Sequence, residues 1–239
     1  MSAPESLVDQ VGVRLAALRE QIRVSGRDPE SVQIVAVTKG HGPEACAAAV
    51  ANGLLDLGES YAQELVAKAA NIGGDGAAAL RDAAVRWHFV GGLQTRRVRA
   101  VAGLVHLWQS VDRPRLVAEV ARWAPGARVL VQVALSAEPG KAGCAPADAP
   151  ALVASAGEAG LLVQGLMGGG PTGGGPEAAR PGFRRLRRMA DELGLRTVSM
   201  GMSGDVPVAL AEGATLLRVG TALFGPRPSR AAVRAWDQQ

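Results

Sequence analysis

An amine that condenses with a carbonyl must come from lysine, and this chain of 239 residues has only Lys39, Lys68 and Lys141. Lys39 closes the apolar run IVAVTK (Ile34–Lys39). A lysine ending a buried strand stands at the mouth of its sheet, where desolvation lowers the ammonium pKa. Such a lysine is the usual imine-forming nucleophile. Lys68 falls in the helical segment AQELVAKAANIG and reads as a solvated residue on its charged face. Lys141, in PGKAGCAP, is intermediate between the two. Two turns further along could hold an anion. Ser199-Met200-Gly201-Met202-Ser203-Gly204-Asp205 leads into the helical PVALAEG, offering free backbone N–H groups, a helix dipole and the Ser203 hydroxyl. Arg218-Val219-Gly220-Thr221-Ala222 adds a glycine that lets the backbone approach a ligand, and the Thr221 hydroxyl. Each turn alone is weak, since an ordinary N-cap explains Ser203 equally well. Together, and opposite the lysine, they describe a ligand with a phosphate at one end and a carbonyl at the other.

The elements that would position these groups are readable from periodicity. Leu7, Val11, Leu15, Leu18 and Ile22 recur at steps of three and four, which predicts a helix over Glu5–Val24 ending near Gly26. Eight short apolar runs follow: Ile34–Lys39, Leu54–Gly58, Val85–Gly91, Leu104–Ser110, Arg128–Leu135, Leu161–Gly168, Arg196–Gly201 and Thr215–Gly220. Helical segments such as PEACAAAVANG and PGFRRLRRMADELG separate them. Continuous apolar runs suit strands buried on both faces of a parallel sheet. Eight such repeats in a chain of this length predict an α/β fold, one (β/α)8 TIM barrel with an extra N-terminal helix. The expected division is a single domain over 1–239, with the helix in 1–26 and the barrel over about 32–236. An open doubly wound sheet is the alternative, but no strand-to-helix turn carries G-x-G-x-x-G. In a barrel the site lies at the C-terminal strand ends, with phosphate often after strands seven and eight. The stretch GGGPTGGGP (Gly168–Pro176) follows the sixth strand, and a disordered loop is expected there ahead of a mobile lid.

Composition narrows the function class. The formal charge of +4 is spread along an arginine-rich, aromatic-poor chain, so a solvated surface is expected instead of a nucleic-acid platform. No apolar stretch is long enough for a membrane span. The N-terminus lacks the pattern of a secretion signal. Cys46 and Cys144 form neither a disulfide framework nor a metal-ligand spacing. The cytoplasm is the expected compartment.

These residues resemble the YggS/PROSC family of pyridoxal 5′-phosphate (PLP) homeostasis proteins. The resemblance spans about Val32 to Gly225. It rests on AVTKG around Lys39, LGESYAQEL (Leu57–Leu65), WHFVGGLQ (Trp87–Gln94), QSVDR (Gln109–Arg113), the Lys141-Ala142-Gly143 turn and QGLM (Gln164–Met167). SMGMSGD (Ser199–Asp205) and LRVGTALFG (Leu217–Gly225) are its most specific parts. It implies a barrel like the N-terminal domain of alanine racemase, with PLP held as an imine on Lys39. Ser203, Gly220 and Thr221 would hold the phosphate. Arg218 would face the pyridine nitrogen and keep it unprotonated, which makes the ring a poor electron sink. Ser60 carries over to the cofactor ring, standing where the family has asparagine. Further departures are Leu93-Gln94-Thr95-Arg96-Arg97 for L-Q-x-N-K, and Gly40-His41-Gly42 where the family often has Thr-Lys-Pro.

The expected function is a monomeric carrier and buffer of PLP that hands the cofactor to apoenzymes, without substantial catalysis. A small PLP-dependent amino-acid racemase is the alternative, and a lysine-dependent aldolase a more distant one. Racemisation needs an acid/base group on each face of the substrate. The only tyrosine is Tyr61, and His41, two residues past Lys39, is expected to point to solvent.

Overall fold

The computed structural model describes residues 6–71, 84–136, 138 and 140–227. Glu5 and the last stretch of the expected barrel, 228–236, lie outside the described residues. The strands are β1 (Gln33–Val37), β2 (Asp56–Glu59), β3 (Arg86–Phe89), β4 (Val105–Val111), β5 (Arg128–Gln132), β6 (Leu162–Met167), β7 (Thr197–Ser199) and β8 (Leu216–Val219). They pair in chain order into a closed barrel. The closing pair, β1 and β8, is parallel, with Val35 opposite Arg218. The helices are α1 (Leu7–Val24), α2 (Pro43–Ala51), α3 (Ala62–Asn71), α4 (Val98–Val101), α5 (Pro114–Trp123), α6 (Ala149–Glu158), α7 (Arg180–Glu192), α8 (Val206–Ala211) and α9 (Thr221–Phe224). Among the described residues, no helix is long and apolar enough to cross a membrane.

Helix α1 forms for the reasons its sequence gives. Ser6 and Asp9 close a capping box, and Val11, Leu15, Leu18 and Ile22 bury one stripe. That stripe packs against α2, α8 and α9, so α1 lies across the first and last repeats of the barrel.

Strand side chains alternate between two environments. Ile34, Ala36, Leu57, Trp87, Phe89, Trp108, Val129, Val131, Leu166, Val198, Leu217 and Val219 belong to the shell between strands and helices. Val35, Val37, Leu107, Leu130, Met167 and Leu216 form a separate cluster, the barrel interior. The same alternation puts His88, Gln109, Ser199 and Arg218 on the inner side, where all four are buried. A barrel interior is ordinarily filled by branched apolar residues, so this one is unusual in carrying a polar layer under its mouth.

Two expectations are corrected. Lys68 is not solvated: it is 5 % exposed. Its Nζ donates to Glu59 Oε1 at 2.5 Å and to the Thr38 carbonyl at 2.8 Å. The reason is parity. Thr38 and Glu59 sit on the outer side of β1 and β2, and α3 crosses over them, so the lysine stem is covered and its head meets a buried carboxylate. The loop of Gly168–Pro176 is also held. Glu138 accepts from the Thr172 N–H at 2.9 Å and its hydroxyl at 2.8 Å, and Lys141 Nζ donates to the Gly170 carbonyl at 2.8 Å. Glycines lower the local preference for any one conformation, and here side chains from the neighbouring loop select one.

Candidate functional site

The C-terminal mouth of the barrel holds a cavity of about 340 Å³, within the range of small-molecule sites. Its lining includes Lys39, Ser203, Arg218, Gly220 and Thr221, five of the six residues singled out in the sequence. Ser60 is not part of that lining. Its hydroxyl is buried without a hydrogen-bond partner among the described residues, and Gly91 is packed so closely that a Cβ there would lie 2.6 Å from Ser60 Cα. His41 does line the cavity, against expectation. It is 8 % exposed and packs on Phe224 of α9, with ring centroids 5.5 Å apart. Apolar packing on α9 outweighs the pull of solvent at this position.

Lys39 follows Val35 and Val37 on the inner side of β1, so it emerges over the cavity. The turn carrying it is clamped on both sides: Lys68 binds the Thr38 carbonyl, and Glu64 accepts the Gly40 N–H at 2.8 Å. Burial lowers the Lys39 pKa, and the charges of Arg227 and Arg218 lower it further. More of the amine is therefore uncharged at neutral pH than for an exposed lysine. Burial also lowers His41, with the Lys68 charge next in effect, so its imidazole is neutral at pH 7.

At the ends of β7 and β8, the strands that follow round the barrel to β1, the backbone N–H groups of Ser203, Gly204 and Thr221 have no acceptor among the described residues. Ser203 Oγ accepts the Ala222 N–H at 3.0 Å, which ties the two turns together. The glycines that shape this rim are required sterically. Gly201 has φ +94°, and a Cβ there would meet Ala209 Cβ at 2.6 Å. A Cβ on Gly220 would lie 3.0 Å from the Val37 carbonyl oxygen. Unpaired N–H groups, hydroxyls and a bare backbone make a cradle for a phosphate.

Arg218, on β8, lines the same cavity. Its Nη1 donates to Ser199 Oγ at 2.6 Å and its Nη2 to the Gly168 carbonyl at 2.9 Å. Burial pulls its guanidinium down to about 10, so it keeps its charge at neutral pH. Among the described residues no carboxylate comes within 4 Å of it. A buried cation without an ion-pair partner fits a ligand that brings a lone pair to it. The donor set as a whole fits PLP: an amine for the aldehyde, a cation for the ring nitrogen and a cradle for the phosphate.

The model of the alanine racemase N-terminal domain family matches residues 13–228. A pyridoxal phosphate homeostasis protein of Pseudomonas aeruginosa is 37% identical over 229 residues, covering 93% of this chain and 96% of that protein. The chain belongs to the pyridoxal phosphate homeostasis protein family. A second family member, from Deinococcus radiodurans, is 38% identical over 88% of this chain and 97% of its own. Among solved structures, PipY of Synechococcus elongatus with PLP bound superposes with a TM-score of 0.77 at 33% identity, covering 90% of this chain and all of that one. The PLP-free form of PipY gives a TM-score of 0.79 at 36% identity, again over 90% of this chain and all of that one.

Sequence reasoning missed five participants, in two groups. Lys68 and Glu64 hold the lysine turn, and the polar layer of His88, Gln109 and Ser199 underlies Arg218. The signal for the second group was present: His88, Gln109 and Ser199 are polar residues inside otherwise apolar strand runs.

Removing both hydroxyls of the cradle, Ser203→Ala with Thr221→Ala, is expected to weaken PLP retention by about a hundredfold or more, at roughly 1.5–3 kcal/mol for each charge-assisted bond. Pyridoxal, which lacks the phosphate, is expected to be almost unaffected. Equilibrium dialysis of both ligands checks this. Equal losses for the two would mean that the double substitution distorts the Ser203–Ala222 tie instead of removing phosphate donors.

Proposed function

We propose that this chain is a PLP carrier and buffer: it holds the cofactor reversibly on Lys39 and releases it to apoenzymes, acting as a monomer in the cytoplasm without substantial catalysis. The observation that carries the reading is that one cavity is lined by Lys39, by Arg218, which has no ion-pair partner among the described residues, and by the turns that present the N–H groups of Ser203, Gly204 and Thr221. The homologues named as PLP homeostasis proteins, and PipY with PLP bound, support it. When bound, PLP would supply an electrophilic carbonyl for the amine and a conjugated ring able to accept electrons. Each residue then has a binding task. Lys39 provides the neutral amine. The cradle fixes the phosphate end, so the aldehyde end is delivered to the same place each time. Arg218 donates toward the ring nitrogen and disfavours its protonation, which restrains the ring from drawing electrons out of a bound amino acid.

The racemase alternative needs a second proton donor across the ring from Lys39. Tyr61 is 55 % exposed and does not line the cavity. His41 lines it but sits two residues from Lys39 on the same strand end. Borohydride reduction and peptide mapping are expected to fix the cofactor on the Lys39 peptide. The same preparation, incubated with L-alanine in deuterated water, is expected to yield no D-alanine by chiral chromatography. Label on Lys68 or Lys141 alone would overturn the assignment of the lysine. Rapid Lys39-dependent formation of D-alanine would make the protein a small racemase.

A further inference from the structure

Beneath the cavity, buried polar side chains join end to end through the barrel. Arg218 Nη1 donates to Ser199 Oγ at 2.6 Å, and Ser199 Oγ donates to Gln109 Oε1 at 2.6 Å. Gln109 Nε2 lies 2.8 Å from His88 Nδ1, and His88 Nε2 lies 2.9 Å from Asp56 Oδ1. Asp56 is held in turn by Arg86, with Nε at 2.8 Å and Nη2 at 2.7 Å. Ser199, Gln109 and His88 are 3 % exposed or less. Asp56 and Arg86 open β2 and β3, so the chain starts on the floor of the barrel and ends at the cavity.

With the Gln109 amide oriented as it stands, one order of protons satisfies every link. A guanidinium only donates, so Ser199 accepts from it, and facing the Gln109 carbonyl oxygen it donates onward. The Gln109 amide N–H then points at His88 Nδ1, which must be a bare acceptor. The single His88 proton therefore lies on Nε2, facing the Asp56 carboxylate. With the amide turned over, an oxygen would face Nδ1 while a carboxylate faces Nε2, and His88 would have to be an imidazolium. A fully satisfied buried network rigidifies its members, whereas a partly satisfied one is worse than apolar packing. Barrel interiors normally use the apolar solution. What the polar solution adds here is a fixed chain of acceptors for a guanidinium that has no carboxylate within 4 Å among the described residues.

We propose that Asp56, His88, Gln109 and Ser199 are positioning residues for Arg218, a proton-ordered chain that anchors the guanidinium from the barrel floor and holds it aimed at the ring nitrogen of the cofactor. This rests on the reading of Arg218 given above, and the test separates the two. The probes are PLP and its carbocyclic analogue, in which C–H replaces the ring nitrogen. The unsubstituted protein is expected to prefer PLP by about tenfold or more, the worth of one charge-assisted hydrogen bond, and Arg218→Met is expected to abolish that preference. Gln109→Met and Asp56→Asn, which leave Arg218 in place, are expected to reduce the preference by about threefold or more, while competition by inorganic phosphate stays unchanged. No preference in the unsubstituted protein overturns the assignment of Arg218 and the anchoring with it. A full preference retained in both Gln109→Met and Asp56→Asn overturns the anchoring alone. A measurement read on the unsubstituted protein stands beside these. In the cofactor-free protein, the His88 imidazole, assigned by the resonance lost in His88→Gln, is expected in 15N spectra as the neutral Nε2–H tautomer at neutral pH. An imidazolium or an Nδ1–H tautomer overturns the proton order, and with it the proposal.

Discussion

Lys39→Ala is expected to abolish the visible imine band and all borohydride-fixable cofactor, while the melting temperature of the cofactor-free protein does not fall. The first half follows from the cavity, whose lining contains no other lysine. The second follows from where Lys39 sits. It emerges past the end of β1, half-buried, and its head makes no hydrogen bond or ion pair among the described residues. Its loss therefore opens no void in the apolar shell and strands no partner. Electrostatics favours the variant. The folded-state pKa of Lys39 lies below the ordinary value of about 10.4, by burial first and then by the charges of Arg227 and Arg218. A depressed pKa means that stability present above the ordinary lysine value is lost as pH falls through the folded value. Below that window the unsubstituted protein bears the cost of a charged Lys39 and the alanine variant does not. The variant is thus expected to be equal or slightly superior in stability near neutral pH, with the difference vanishing in alkali. Imine yield in the unsubstituted protein should rise with pH with its midpoint below the ordinary lysine value, since only the neutral amine condenses. Arg227→Ala, which removes one of the depressing charges, should move that midpoint upward. Absorbance titration and thermal melts read both. A marked fall in melting temperature for Lys39→Ala would make the residue a structural one.

The barrel and the small-residue turns that line its mouth were legible because each has a local signature. Strand runs such as IVAVTK and RVLVQVAL are apolar on both faces, and small-residue turns at strands seven and eight place their N–H groups by backbone geometry alone. Tertiary facts were less legible. Lys68 and Glu59 look like ordinary surface charges along the chain, because nothing local says that α3 lays one on top of the other. His41 was misread for a related reason. Its burial depends on Phe224, at the far end of the sequence and brought alongside by barrel closure. The polar layer under Arg218 was half legible. Parity within each strand puts His88, Gln109 and Ser199 on one side, but only the register between strands joins them. The held loop of Gly168–Pro176 was hidden by its own composition, since its restraints come from Glu138 and Lys141 instead of from the glycines.

Lys68→Met is expected to cost about 3–5 kcal/mol of stability, because removing one partner of a buried ion pair leaves the other charge uncompensated. Glu59 is fully buried, its Oε1 accepts from both Lys68 and Thr38, and its Oε2 has no hydrogen-bond partner among the described residues. Methionine matches the lysine stem in length, so the loss is electrostatic more than volumetric. The pH dependence identifies it. Burial raises the Glu59 pKa even in the unsubstituted protein, the Lys68 ammonium and the Thr38 hydroxyl offsetting it only in part. Without Lys68 the folded-state value moves higher still. For a raised carboxyl, the stabilising contribution is fully present below the unfolded value and is lost as pH rises through the folded one. The deficit of Lys68→Met should accordingly be smallest near the ordinary glutamate value of about 4.3 and grow toward neutrality. Adding Glu59→Gln should recover part of it, because the stranded charge is gone, and the double-mutant cycle gives the coupling directly. Lys68 also binds the Thr38 carbonyl, so PLP retention should fall with Lys68→Met even where the protein remains folded, and Glu59→Gln should not restore that loss. Urea unfolding at several pH values, with dialysis of PLP under native conditions, measures both. A deficit below about 1 kcal/mol, the range of exposed ion pairs, or one that does not change with pH, would return Lys68 to the solvated surface that its sequence suggested.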